Sequence, residues 1–219
     1  MIQKKIIRVC AIVMILSGFV ILFSSLYPIF SYEWEASQRY PMLISPLVDK
    51  DKASFKMGKT DYTKASNWFE NKGDEFTSNT VSYYTLSIPK LGIENATVTL
   101  GGEDLSDSLI QYPGTADPGK IGNTVIFGHS VLPQYFDSKN YLTIFSNLPK
   151  MEVGDLVYVN YESVFFTFKV EDMFEVKPKD IQILEQSAED SYLTLVTCTP
   201  PGHPLKPKRL IVRARLVGA

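Results

Sequence analysis

Cys198 and Arg209 lie at neighbouring ends of two predicted strands. The first strand is rich in Thr, Val, Tyr and Leu, and it stops at Pro200-Pro201, which cannot donate to a sheet ladder. The thiol should therefore lie where that strand opens into a loop. In the second strand, apolar residues alternate with positions that are mostly arginine, beginning at Arg209. A thiol facing a guanidinium predicts a nucleophile with an anion-stabilising partner.

A base for such a thiol must come from one of only two histidines. His129 ends an apolar strand, and the preceding Gly128 permits a close approach by another backbone or a ligand. His203 lies in the loop just after the thiol. A structurally satisfied His129 and a Cys198 that packs as a small hydrophobe are the alternatives. The combination of the two residues favours catalysis.

Three motifs in this order resemble those of a known enzyme family. Gly128-His129-Ser130, the 194–198 stretch TLVTC and the 209–213 stretch RLIVR are similar to the His, Cys and Arg motifs of the sortases, membrane-anchored cysteine transpeptidases of bacterial surfaces. The 86–93 stretch LSIPKLGI resembles the start of their catalytic domain, and the resemblance runs from about residue 80 to 217. It implies a mainly β fold, a closed eight-stranded barrel with short helices.

The resemblance also implies a mechanism and partners. Cys198 would attack the carbonyl of a Thr-Gly bond in the C-terminal sorting signal of an exported protein, while His129 would transfer protons and Arg209 would hold the oxyanion. Thr197 and Ser130, next to the two motif residues, are predicted to contact the substrate. An amine of a peptidoglycan precursor or of another protein would accept the acyl group, and no cofactor is expected. A membrane-tethered cysteine hydrolase and a non-catalytic surface binding module are the alternatives.

The metal-binding and charged side chains allow two further interpretations. Cys198, His129 and His203 could supply three ligands to a catalytic zinc, but prolines stiffen the loop that carries His203 and no acidic partner is evident, so no metal is expected. Arg213 and Arg215 share a strand face with Arg209 and are predicted to form a solvated charged edge.

The N-terminal segment predicts a membrane anchor. Residues 9–32 contain no charged side chain. This uncharged run is longer than the ~20 residues needed to cross a bilayer as a helix. Lys4, Lys5 and Arg8 precede this run and favour a cytoplasmic N-terminus. A cleaved signal peptide is less favoured because no suitably spaced pair of small residues follows the run. We expect an anchor at 1–32, an extracytoplasmic stalk at 33–79 and the catalytic barrel at 80–219.

Charge and cysteine content narrow the function further. Three of the 22 Lys and Arg residues precede the anchor, which leaves 19 against all 24 Asp and Glu, a net charge of −5 outside the membrane. This surface does not favour nucleic acid. Cys10 lies inside the membrane run and cannot pair with Cys198, so the exported domain is predicted to carry one unpaired thiol.

The remaining patterns predict the elements of the barrel. Strands are expected at 83–88, 96–100, 156–161 and 164–176, the last two as a hairpin around Glu162-Ser163. Short helices are expected at 105–110 and after Asp137, where Leu142, Phe145 and Leu148 recur at three-residue spacing. The stalk lacks the Asp-Pro-aromatic sequence of the lid found in some pilus-assembling sortases, and no fold is assigned to it.

Overall fold

The computed structural model describes residues 2–41, 61, 63–68, 83–186 and 189–219. One long helix precedes a set of strands joined by turns and short 3-10 helices. The elements are α1 (Ile2–Arg39), β1 (Tyr83–Ile88), β2 (Ile93–Leu100), β3 (Leu109–Gln111), β4 (Gly122–Phe127), β5 (Leu156–Tyr161), β6 (Val164–Val176), β7 (Ser191–Thr199) and β8 (Lys208–Gly218).

The eight strands close into a barrel in the order β1-β2-β3-β4-β7-β8-β6-β5. The pairs β2–β3 and β4–β7 are parallel, and the other neighbours are antiparallel. The predicted eight-stranded closed barrel is therefore confirmed. Closure also removes the exposed sheet edges that an open sheet of this size would present.

Two apolar clusters lie on opposite faces of the sheet, because successive residues of a strand point to opposite sides. The first cluster fills the barrel and takes buried side chains from every strand, such as Leu86, Val159 and Leu195. The second lies on the outer face of β3, β4, β6, β7 and β8 and contains Phe127 and Cys198. The thiol therefore belongs to the outer face.

The β5–β6 hairpin has the predicted bounds. Its turn residues Glu162 and Ser163 both have positive φ, 51° and 66°. This is the backbone that a two-residue hairpin turn requires, because its twist matches that of the flanking strands. The strand predicted at 96–100 begins earlier, at Ile93.

Both predicted short helices are wrong. Residues 109–111 form β3, whose side chains are all buried, so the apolar run there reflects a strand covered on both faces. After Asp137 the chain makes turns and a 3-10 helix at Leu148–Lys150. The carboxylate of Asp137 accepts a hydrogen bond from the Lys139 amide, and the side chain of Asn140 accepts one from Leu142. Such local side-chain bonds compete with helical ones.

Helix α1 is longer than the predicted anchor. It continues through Arg39, and Cys10–Arg39 is long and apolar enough by length and composition to cross a membrane. Ala36 and Tyr40 are buried in the cluster that fills the barrel, so the end of α1 packs against the barrel. The segment predicted as a stalk thus starts as docked helix, while its residues 42–60, 62 and 69–79 lie outside the described residues.

Candidate active site

Strand pairing brings the three predicted catalytic residues together. Cys198 on β7 pairs directly with Arg209 on β8. Phe127 on β4 pairs with Val196 on β7 in parallel, so His129 and Cys198 each follow a paired position by two residues. Adjacent strands lie about 5 Å apart. The geometry thus assembles residues from three neighbouring strand ends at one edge of the barrel.

Hydroxyl groups tie the strand ends of this site to each other. Thr197 donates to the carbonyl oxygen of Gly128 at 2.8 Å, and Ser130 donates to that of Cys198 at 2.6 Å. Both side chains are buried. Both hydroxyls thus bind backbone carbonyl groups, and these bonds link the segment that carries His129 to the one that carries Cys198. Contact with a substrate stays a prediction for both residues.

Gly128 is needed for the packing beneath His129. A Cβ added at Gly128 would lie 2.4 Å from an atom of the Phe145 ring and 2.7 Å from one of Leu109. The close approach at this glycine is made by side chains, where the sequence had suggested a backbone or a ligand. The amide of Phe145 also donates to the carbonyl oxygen of His129 at 2.9 Å, which fixes the backbone of the histidine.

The His129 imidazole is buried, and one of its two ring nitrogens, Nε2, lacks a hydrogen-bond partner among the described residues. Burial, with a smaller contribution from Lys206, lowers the pKa of His129 to about 4. The imidazole is therefore neutral at neutral pH and can accept a proton.

A segment from the predicted stalk covers the site. We call residues 61 and 63–68 the covering segment. The amide of Ala65 donates to the carbonyl oxygen of Glu103, and the amide of Leu105 donates to that of Thr63, so this segment is held against the β2–β3 connection. The sequence predicts no fold for these residues, and in the structure Ala65–Asn67 form a 3-10 helix.

Trp68 fills the space above the catalytic residues. Its side chain is fully buried, and its ring centroid lies 5.8 Å from that of His129 and 5.4 Å from that of Phe127. The guanidinium carbon of Arg209 lies 5.5 Å from the Trp68 ring centroid. With Trp68 in this position Cys198 is 1% exposed, so a substrate cannot reach the thiol.

Arg209 is buried and directs its donors at main-chain carbonyls. Nε and Nη2 both donate to the carbonyl oxygen of Trp68, at 3.2 and 2.8 Å. Nη1 donates to the carbonyl oxygens of Lys206 and Lys208, at 2.8 and 3.1 Å. One edge of the guanidinium thus grips a single carbonyl oxygen with two donors, which a lysine cannot do in this geometry.

The other residues singled out from the sequence have different partners. His203 accepts a hydrogen bond from the Leu205 amide through Nδ1. Within the described ranges no group of three or more His, Cys, Asp or Glu side chains could hold a metal ion. Arg215 forms exposed ion pairs with Asp190 and Glu171, whereas Arg213 is half-buried with its guanidinium carbon 5.8 Å from the Phe174 ring centroid. Arg213 therefore differs from the solvated edge that was expected.

Sequence reasoning missed Trp68 and Glu175. Trp68 is one of two tryptophans and lies in a polar segment, and that isolated aromatic residue was the one available signal. Glu175 reads as an ordinary polar residue of a strand, but it is 3% exposed and hydrogen-bonds Thr199, the residue after the thiol. Nothing in the local sequence indicates that contact.

The amino-acid sequence of this chain is similar to those of known proteins. The family model described as Sortase domain matches residues 86–217. Sortase A of Streptococcus agalactiae is 27% identical over 125 residues, which are 57% of this chain and 45% of that protein. Sortase A of Staphylococcus aureus is 31% identical over 103 residues, 40% of this chain and 47% of that protein. The aligned region thus spans less than half of either relative.

A solved structure supports the same relationship. The Sortase D5 transpeptidase of Clostridium perfringens has 27% sequence identity and a TM-score of 0.53, with 62% of this chain and 79% of that chain covered. The similarity thus lies in both sequence and barrel architecture.

Proposed function

This chain belongs to the sortase family, and we propose that it is a cysteine transpeptidase that cleaves the C-terminal sorting signal of exported proteins and transfers the acyl group to an amine. The observation that carries the proposal is the direct pairing of Cys198 with Arg209 beside the strand end that bears His129. A thiol, a neutral imidazole and an always-charged guanidinium are the groups that acyl transfer needs.

In the first half-reaction, His129 removes the thiol proton and the Cys198 sulfur attacks the carbonyl carbon of a Thr-Gly bond. The tetrahedral intermediate carries a negative oxygen, and it collapses as the C–N bond breaks and His129 protonates the departing amine. A thioester remains. An incoming amine then attacks the thioester carbon, His129 accepts its proton, and the Cys198 sulfur leaves.

Arg209 supplies the stabilisation of the oxyanion. In the covered site its Nε and Nη2 already grip one carbonyl oxygen, that of Trp68. A substrate carbonyl that replaced the Trp68 carbonyl would meet the same two donors. The covering segment must move before this exchange, because Trp68 fills the space above the thiol.

We infer the partners and the cellular location of this protein from its family. The substrates are exported proteins with a C-terminal sorting signal, and the acceptor is an amine of a peptidoglycan precursor or of another surface protein. Helix α1 and the family indicate a membrane-anchored protein. We assign the N-terminus to the cytoplasm and the barrel to the outer side, because the basic residues precede the apolar run.

The test is the fate of the acyl group. Purified full-length protein in detergent is mixed with a peptide containing Leu-Pro-x-Thr-Gly, with and without a short oligoglycine amine. A transpeptidase gives mainly the amine-ligated product when the amine is present. Hydrolysed peptide alone in both reactions would favour the cysteine hydrolase, and uncleaved peptide would favour the binding module.

A further inference from the structure

Glu175 on β6 joins helix α1 to the residues beside the site. Its Oε1 accepts a hydrogen bond from the Tyr32 hydroxyl at 2.8 Å and from the Thr199 hydroxyl at 3.0 Å. Its Oε2 lies 3.1 Å from Nζ of Lys208. A carboxylate that is 3% exposed is costly unless it is paired and hydrogen-bonded, and these three contacts satisfy both oxygens.

The contact continues along α1. Nζ of Lys208 also lies 3.0 Å from Oε2 of Glu33, and the amide of Glu175 donates to the carbonyl oxygen of Pro41 at 3.2 Å. Burial disfavours the charged form of Lys208, but the hydrogen bonds that its ammonium donates to Glu33 and Glu175 outweigh that effect and raise the pKa of Lys208. Charge, hydroxyl and backbone contacts thus link the end of the helix to β6 and β8.

The residues held by Glu175 adjoin the proposed catalytic pair. Thr199 follows Cys198, Lys208 precedes Arg209, and Thr199 pairs with Lys208 directly after the Cys198–Arg209 pair in the strand register. Since successive side chains point to opposite faces, Cys198 and Arg209 face outward while Thr199 and Lys208 face Glu175. The Glu175 carboxylate therefore binds both β7 and β8, through the residues next to Cys198 and Arg209.

We propose that Glu175 is a positioning residue and that the C-terminal end of α1, through Tyr32, sets the alignment of Cys198 with Arg209. This inference rests on the proposed function. The membrane anchor is then part of the catalytic architecture as well as a tether. Loss of the Tyr32 contact loosens the last pair of β7 and β8 and misaligns the guanidinium with the oxyanion.

The chain provides a matched control at a second docking contact. The Tyr40 hydroxyl donates to the carbonyl oxygen of Pro149 at 2.6 Å, and Arg39 pairs with Glu152. This contact joins the same helix to the same barrel, but its partners Pro149 and Glu152 lie shortly before β5 and are not among the contacts of Glu175, Thr199 and Lys208 described above. Tyr32→Phe and Tyr40→Phe each remove one hydroxyl from the interface between helix and barrel.

The experiment compares full-length wild type, Tyr32→Phe, Tyr40→Phe and Thr199→Val in lipid nanodiscs. Single-turnover acylation by a Leu-Pro-x-Thr-Gly peptide gives the maximal rate and the half-saturating peptide concentration. We expect Tyr32→Phe and Thr199→Val to lower the maximal rate about tenfold with little change in half-saturation, since misalignment weakens transition-state contacts more than binding. Tyr40→Phe should stay within about twofold of wild type.

Amide hydrogen exchange gives a readout that does not depend on catalysis. Tyr32→Phe should accelerate exchange at the amides of Thr199, Lys208 and Arg209, whereas Tyr40→Phe should leave exchange at these three amides unchanged. Equal acylation rates in Tyr32→Phe and Tyr40→Phe would overturn the positioning role, even if exchange differs. If wild type itself forms no acyl-enzyme, the proposed transpeptidase function fails, which this set of variants distinguishes from a failure of positioning alone.

Discussion

Arg209 differs from the other arginines of β8 in burial and in partners. It is 1% exposed and grips a carbonyl oxygen with two donors, whereas Arg213 lies four residues, about 13 Å, further along the strand. Arg209→Lys keeps the positive charge but loses the pair of donors, Nε and Nη2, that bind one oxygen together. We expect it to lower the single-turnover acylation rate at least about 100-fold, the typical effect of losing an oxyanion donor.

Arg213→Lys is the matched control for that prediction. It changes the same side chain on the same strand and face, and we expect acylation within about twofold of wild type. Thermal melts of both variants are the check that each is folded. Parental acylation by Arg209→Lys together with a slow Arg213→Lys would mean that the oxyanion partner has been misassigned.

Burial of His129 makes the stability of the fold depend on pH. The pKa of about 4 in the folded chain lies below the ordinary value of 6.5, so the unfolded chain takes up the proton first on acidification. The stability contributed by the neutral imidazole is present above about pH 6.5 and is lost as the pH falls toward 4. Relative to His129→Gln, wild type should lose about 2 kcal/mol more between pH 7 and pH 5.

Melting temperatures at the two pH values measure this difference. A loss of about 2 kcal/mol corresponds to a further fall of about 4–8 °C for a chain of this size. An equal fall in wild type and His129→Gln would show that the imidazole is not buried as described.

At the scale of elements, the covering segment controls access to the thiol. Replacing the fully buried Trp68 by alanine should open the site. We expect Trp68→Ala to raise the rate of Cys198 alkylation by iodoacetamide at least about tenfold, because the thiolate must be exposed to react. Peptide-resolved mass spectrometry separates Cys198 from Cys10, the second free cysteine.

Trp34→Ala controls for the loss of a tryptophan. Trp34 is 74% exposed on α1, so its removal should leave the alkylation rate of Cys198 unchanged. If both variants react at the wild-type rate, the covering segment does not limit access to the thiol.

The strands of the barrel were largely predictable, and their long-range partners were not. The bounds of β5 and β6 follow from alternation and from a two-residue turn, both of which are local signals. Residues 105–110 were misread as helix because a short apolar run has no period that separates a buried strand from a helix. The covering segment escaped prediction because its contacts join residues distant in sequence, as in the bond from Arg209 to Trp68.

The candidate site shows the same division. His129, Cys198 and Arg209 were predicted from residue types at strand ends, and the strand register brings them together. The burial of Arg209 and the grip of Glu175 on Thr199 depend on three-dimensional contacts that no local pattern encodes.

At the scale of the whole molecule, the charge asymmetry around α1 predicts the orientation of the protein. Lys4, Lys5 and Arg8 precede the apolar run, so the barrel should lie outside the cytoplasmic membrane. Protease added to intact cells that express the chain should digest or release the barrel. A barrel that is protected until the membrane is lysed would reverse the assigned orientation.

The most direct test of the central claim is formation of a thioester on Cys198. Full-length protein is mixed with a sorting-signal peptide, and its intact mass is measured before and after treatment with hydroxylamine. We expect an acyl adduct on wild type that hydroxylamine removes and that is absent from Cys198→Ala. An adduct that persists in Cys198→Ala, or a wild type that cleaves the peptide without any adduct on Cys198, would contradict the assignment of this thiol as the nucleophile.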